Sequence, residues 1–170
     1  MKNSAAKIRV MFGDARIELN KVPRGYYDLL IIDAFTGDSI PVHLLTTEAI
    51  LEYKEHMREG GIILFHISNR YLDLAPVLFA NAAEVNSRAS LNGDELYRGR
   101  IFWPSDWVAM TWDKDKDDTL ASKLNWVKKR AGFPGRKSRP WSDAYSNILS
   151  VFKTKEIVDE IKNFIIFYNS

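Results

Sequence analysis

The side chains with the clearest chemical potential are those that end apolar runs. Asp33 follows directly on Leu29-Leu30-Ile31-Ile32, Asp14 follows Val10-Met11-Phe12-Gly13, and His66-Ile67-Ser68-Asn69 closes Ile62-Ile63-Leu64-Phe65. In an open α/β sheet, ligands bind beyond the carboxyl ends of the strands, so residues that terminate strands lie at the mouth of the sheet. A carboxylate there, partly withdrawn from water, holds an amine or a hydroxyl, or takes a proton from it. Asp33 carries this signal most sharply; the alternative for any strand-ending aspartate is that it caps the next turn through backbone amides. Asp38 follows in a loop that also holds Gly37, Pro41 and His43. Two carboxylates facing one pocket suit a cationic ligand, because each makes a charge-assisted hydrogen bond to an ammonium; a plain turn-forming role for Asp38 stands beside that reading. His43, next to Leu44 and Leu45, is an acid, a base, an orienting group or a packing residue. The late loop Trp141-Ser142-Asp143-Ala144-Tyr145-Ser146-Asn147 sets an aromatic ring, a carboxylate and a phenol together, as the wall of an amine pocket requires.

Other chemistries find no support. The chain has no cysteine, which excludes a disulfide framework, thiolate catalysis and any zinc site with sulfur ligands. His43, His56 and His66 lack metal-ligand spacing, so no metal is expected. No Gly-x-Ser-x-Gly elbow, Gly-x-Gly-x-x-Gly turn or P-loop is present. The densest basic stretch, Lys128-Lys129-Arg130 with Arg136, Lys137 and Arg139, lies among Trp126, Phe133 and Trp141. Phosphate contacts with base stacking are one reading of it. A formal charge of +2 over 170 residues favours a solvated helix end instead, so no nucleic-acid partner is expected. No apolar run approaches the roughly 18 residues of a membrane helix, and Met1 to Lys7 has no apolar signal region. With zero cysteines and no glycosylation sequon, these features point to a cytoplasmic location.

The elements that must position these groups follow from periodicity and breakers. Ile8 to Phe12 reads as a strand closed by Gly13-Asp14-Ala15, and Arg16 to Asn20 as a short helix or turn. After Pro23-Arg24-Gly25, the run Tyr27 to Ile32 reads as a strand buried on both faces. Thr46 or Thr47 caps a helix with Ala49, Ile50, Tyr53 and Met57 on its inner side, ended by Gly60-Gly61. A second doubly buried strand spans Ile62 to Ile67, and a helix spans Leu72 to Val85. A polar stretch from Asn86 to Arg100 precedes a strand over Trp107 to Trp112, a charged turn over Asp113 to Asp118, and a helix from Thr119 to Ala131 with Leu120, Leu124 and Val127 inside. A last strand, Asn147 to Phe152, and an amphipathic helix over 155–170 complete the chain. Alternating strands and helices imply one α/β unit, a single domain or a portion of one over 1–170.

The motifs Gly13-Asp14-Ala15-Arg16, Tyr27 to Phe35, Asp38 to Thr46, His66 to Leu74 and Trp141 to Asn147 resemble the spermidine synthase-like proteins, the polyamine aminopropyltransferases. These are similar to the wider class of S-adenosylmethionine-dependent methyltransferase folds. The resemblance runs from about Ile8 to Asn86 and returns at Trp107 and Trp141, closest to the bacterial branch found fused to membrane segments. It implies a partial Rossmann-like α/β fold, a mostly parallel sheet with flanking helices. The family's order is 3-2-1-4-5-7-6. The glycine-rich turn and the ribose-gripping acid of its first two strands would precede Ile8, so the fold is expected to lack those two strands, which would separate Ile8 to Phe12 from Tyr27 to Ile32.

By the same resemblance, Asp14 with Ala15 lies near the adenine of decarboxylated S-adenosylmethionine, and Asp33 is the proton acceptor that frees the attacking amine. Asp38, at a looser spacing than the family's, falls to the diamine, and Tyr145, with Asp143 in its loop, lines the diamine site. The reaction implied is aminopropyl transfer to a diamine such as putrescine, with weak or no turnover from a chain lacking the family's front. The rivals are a small-molecule methyltransferase using S-adenosylmethionine, and a non-catalytic remnant or interaction subunit. The partners considered are a homo-oligomer, or a complementing chain that would supply the missing strands.

Overall fold

A computed structural model describes residues 5–34, 41–69, 71–92, 105–124, 126–127 and 138–153. The chain begins with an irregular stretch and a short helix α1 (Ala15–Leu19), whose first turn is capped by the Asp14 carboxylate. Strand β1 (Tyr27–Ile32) follows, then a 3-10 turn at Val42–Leu44 and helix α2 (Thr47–His56). Thr46 caps α2 by accepting from the Ala49 N–H, as its residue type leads one to expect. Strand β2 (Met57–His66), helix α3 (Ala75–Glu84), strands β3 (Arg88–Asn92) and β4 (Trp107–Thr111), helix α4 (Lys114–Leu124) and a 3-10 turn at Ile148–Val151 complete the described elements.

The four strands make one sheet in the order β1-β2-β4-β3. Counted in chain order that is the family's 4-5-7-6, but the last two strands are Arg88–Asn92 and Trp107–Thr111 in place of the expected Trp107 to Trp112 and Asn147 to Phe152. The class is α/β with flanking helices. Its parallel part is the β1–β2 pairing; β4 runs antiparallel to both β2 and β3, because it returns between them. Register assigns two faces. Ile63 and Phe65 of β2 lie beside Leu30 and Ile32 of β1 and beside Met110 and Val108 of β4, and all join the core with α2, α3 and Trp141. On the opposite face Ser90 sits opposite Ala109, and α4 reaches this side through a 2.7 Å hydrogen bond from Ser90 to Asp117. The rest of that face, at β1, is open: Leu29 and Ile31 are 49% and 51% exposed.

Several expectations are corrected. Ile8 to Phe12 forms no strand; with no partner strand among the described residues, Ile8, Val10 and Phe12 stand exposed. Tyr27 to Ile32 is buried on one face only, because no described strand or helix covers the side of Leu29 and Ile31. Gly60-Gly61 does not end α2. The helix stops at His56, and the glycines make a bulge in β2, where Tyr27 pairs with Met57 but Leu29 pairs with Ile62. Gly60 has φ +71°, a conformation that glycine adopts without strain. The polar stretch after Asn86 contains β3. The charged segment at Asp113 is the cap and first turn of α4, since the Asp113 carboxylate accepts from the N–H groups of Asp115 and Lys116. Leu124 and Val127 are exposed, leaving Leu120 as the inward apolar residue of α4. Asn147 to Phe152 is a 3-10 turn, apart from a single bridge between Leu72 and Phe152. The helix expected over 155–170 lies outside the described residues, as do Lys128 to Lys137. Among the described residues, no helix is long and apolar enough to cross a membrane.

Candidate active site at the carboxyl ends of β1 and β2

Adjacent parallel strands place their terminating residues side by side. Ile32 pairs with Phe65, so the next residues, Asp33 and His66, meet at the same end of the sheet. His66 Nδ1 lies 2.8 Å from Asp33 Oδ1. An ionised carboxylate only accepts, which assigns the hydrogen of this contact to Nδ1 as the donor. His66 also pairs in register with Trp107, and their rings stack with centroids 4.6 Å apart and planes 25° from parallel. Asp33, His66 and Trp107 thus form one row across three strands. The Asp33 side chain is 55% exposed and that of His66 24%. This disposition leaves a carboxylate open to solvent, held at one oxygen by a ring that is itself held by an indole.

The second group of site residues surrounds Arg16. Its Nε and Nη2 donate to the two carboxylate oxygens of Glu52 on α2, Nη1 donates to the His43 carbonyl and to Asp143 Oδ1 at 2.8 Å, and Nη2 reaches Asp143 Oδ2. Thr46 adds a 2.7 Å hydrogen bond to Asp143 Oδ1, and the Asp143 N–H donates to Glu48. One guanidinium therefore ties α1, the 3-10 turn, α2 and the late loop together. The hydrogen bonds that Arg16 donates to Glu52 and then to Asp143 raise its pKa above its already high ordinary value. Arg16, then Thr46, hold the Asp143 carboxyl below its ordinary range. Asp14 is also lowered, first by the Ile17 N–H that its cap accepts, with a further contribution from His43, whose Nε2 lies 3.3 Å from Asp14 Oδ2. Tyr53, beneath this group, donates to the Leu44 carbonyl, and burial pushes its phenol pKa up.

The structure thus joins Asp14, His43 and Asp143 in one network and Asp33 with His66 in another. Ala15 opens α1 on the surface. Tyr145 is 44% exposed and closes a tight turn by exchanging backbone hydrogen bonds with Ser142. Asp38 lies outside the described residues. Trp141 is not a pocket wall: it is 1% exposed, packed in the core, because its N–H is fixed by the buried Asn81 side chain. Two residues went unread in the sequence as partners. Arg16 sits beside the Gly-Asp-Ala turn, and Asn81 is the lone amide in the apolar helix Ala75 to Glu84; that isolation was the available signal.

No family model matches the chain. A 58-residue stretch, 33% of this chain and 19% of the relative, is 38% identical to the polyamine aminopropyltransferase of Vibrio vulnificus (strain CMCP6). Among solved structures, a probable spermidine synthase from Corynebacterium glutamicum ATCC 13032 superposes with TM-score 0.55 at 20% identity, covering 83% of this chain and 55% of that one. The spermidine synthase of Thermotoga maritima gives TM-score 0.44 at 16% identity, over 72% of this chain and 42% of that one. The chain spans about half the length of the Corynebacterium protein. The chain is thus similar to a polyamine aminopropyltransferase over 58 residues and to a probable spermidine synthase in fold.

Proposed function

We propose that the chain is an aminopropyltransferase-like domain portion over 1–170, acting on a diamine such as putrescine with decarboxylated S-adenosylmethionine as co-substrate, in the cytoplasm. The observation that carries this reading is the Asp33 carboxylate, open to solvent at the carboxyl end of β1 with Oδ1 engaged by His66. The other oxygen receives an ammonium N–H. Asp33 takes that proton, and the freed amine lone pair attacks the methylene carbon next to the sulfonium. The carbon–sulfur bond breaks with its electron pair going to sulfur, so a thioether leaves and an N–C bond forms. The sulfonium is already a good leaving group, which leaves the protein to deprotonate and align.

In this reading Asp14 and Ala15 take the adenine side. The Asp14 oxygens are engaged by the α1 N–H groups and His43, which fixes the carboxylate's direction. Asp38 and Tyr145 take the diamine. Asp143, with its charge balanced by Arg16, sets the loop that carries Tyr145. Calorimetric titration with putrescine, decarboxylated S-adenosylmethionine and S-adenosylmethionine, followed by a product assay, tests the proposal. Binding of S-adenosylmethionine without putrescine would favour a methyltransferase instead.

A second reading is favoured by the open face at β1, where Leu29 and Ile31 lie exposed beside a strand with one described neighbour. It is an interaction subunit whose sheet is completed by another chain, and sedimentation velocity of the purified protein reads it out.

A further inference from the structure

The geometry points to His66 as the residue that positions Asp33 for the diamine, an inference that rests on the function proposed above. Three observations carry it. Asp33 and His66 are neighbours by strand register, so their contact follows from the sheet and not from a loop conformation. The 2.8 Å hydrogen bond joins Nδ1 to Oδ1, which fixes the carboxylate at one oxygen and leaves Oδ2 for a second partner. The Trp107 ring stacks on the imidazole, so the donor is itself restrained. A loop aspartate without such a donor rotates freely about its side-chain torsions, and each encounter with an ammonium then costs the ordering of the carboxylate. His66 removes that cost beforehand. An imidazole need not carry a charge to donate this hydrogen bond, whereas a lysine or arginine in its place would bring a permanent positive charge to Asp33. His66 therefore acts through Asp33 and not on substrate.

The test has two arms. In the parent chain, long-range ¹H–¹⁵N spectra are expected to show His66 as the Nδ1–H tautomer, and Asp33→Ala is expected to shift it toward Nε2–H. Calorimetry is expected to show putrescine binding weakened roughly fivefold to tenfold by His66→Phe, which keeps a ring on Trp107 but removes the donor, and restored to within about twofold by His66→Asn, whose amide donates again. A merely structural role would not give rescue by the smaller asparagine. An Nε2–H tautomer in the parent, or a His66→Phe chain that binds putrescine as tightly as the parent, overturns the inference. If the parent binds no putrescine, the proposed function fails, and the tautomer alone then decides whether His66 orients Asp33.

Discussion

In the proposed function Asp33 is the proton acceptor for an ammonium, a role that suits a half-exposed carboxylate with Oδ1 engaged by His66. Asp33→Asn keeps an oxygen for His66 but loses the charge. Putrescine affinity is expected to fall at least about tenfold, and any aminopropyl transfer by roughly 10²–10⁴, read by calorimetry and by mass spectrometry of the product. Turnover equal to the parent would remove Asp33 from the chemistry. Arg16 is the opposite case, a charge whose worth is structural. Its side chain is 16% exposed and faces two carboxylates, so Arg16→Met leaves Glu52 and Asp143 facing each other with no cation between them. A loss of about 2 kcal/mol in urea unfolding is expected.

The same network sets an acid limit. Asp143 and Asp14 have folded pKa values below the ordinary carboxylate value, so the native state releases those protons more readily than the unfolded chain does. Their contribution is full above the unfolded value of about 3.9 and is lost as pH falls through the lower folded values. Stability measured by denaturant titration should therefore be level between about pH 7 and 5 and drop below about pH 4. Asp143→Asn should flatten part of that drop. The place of Asp33 at the end of β1 was legible because it ends an apolar run. The partnership of Arg16 with Asp143 was not, since only the fold brings the start and the late loop of the chain together.

At the scale of elements, α2 was readable from its cap and apolar spacing and α3 from apolar spacing, because those signals are local. The bulge of β2 was not: Gly60-Gly61 is an ordinary helix stop, and pairing with β1 draws it into a strand instead. Gly60→Ala places a Cβ 3.0 Å from the Asp113 carboxylate at a φ of +71°. It should cost about 1 kcal/mol in thermal or urea unfolding, with the sheet otherwise intact. Asn81 is the stronger element-scale test. Fully buried on α3, it donates to the Leu45 carbonyl and accepts from the Trp141 N–H, so it pins both site loops to one helix. Asn81→Leu strands two buried backbone groups, and about 2–4 kcal/mol of destabilisation is expected. Strand β3 escaped the sequence because Arg88-Ala89-Ser90-Leu91-Asn92 is polar on the side where Ser90 bonds to Asp117 and has only Ala89 and Leu91 to turn inward.

For the whole molecule, 170 residues and a balanced charge are the size of an ordinary domain, and the fold has one core around Ile63, Phe65, Leu78 and Trp141. The sheet nevertheless ends at β1 with an apolar, half-exposed face, which the doubly apolar sequence of Tyr27 to Ile32 reads as buried. Sequence records what a strand suits, and the described fold leaves that face unfilled. Leu29→Ser with Ile31→Ser should cost little stability, within about 1 kcal/mol. It should reduce any concentration-dependent association in sedimentation velocity; unchanged association would place the contact elsewhere. The central claim, that the carboxyl ends of β1 and β2 form an amine site built on Asp33, is tested most directly by titrating putrescine into the parent chain and into Asp33→Asn by calorimetry. The account predicts saturable binding by the parent and at least about tenfold weaker binding by the variant. Equal affinity in the two proteins, or no binding by the parent, would contradict it.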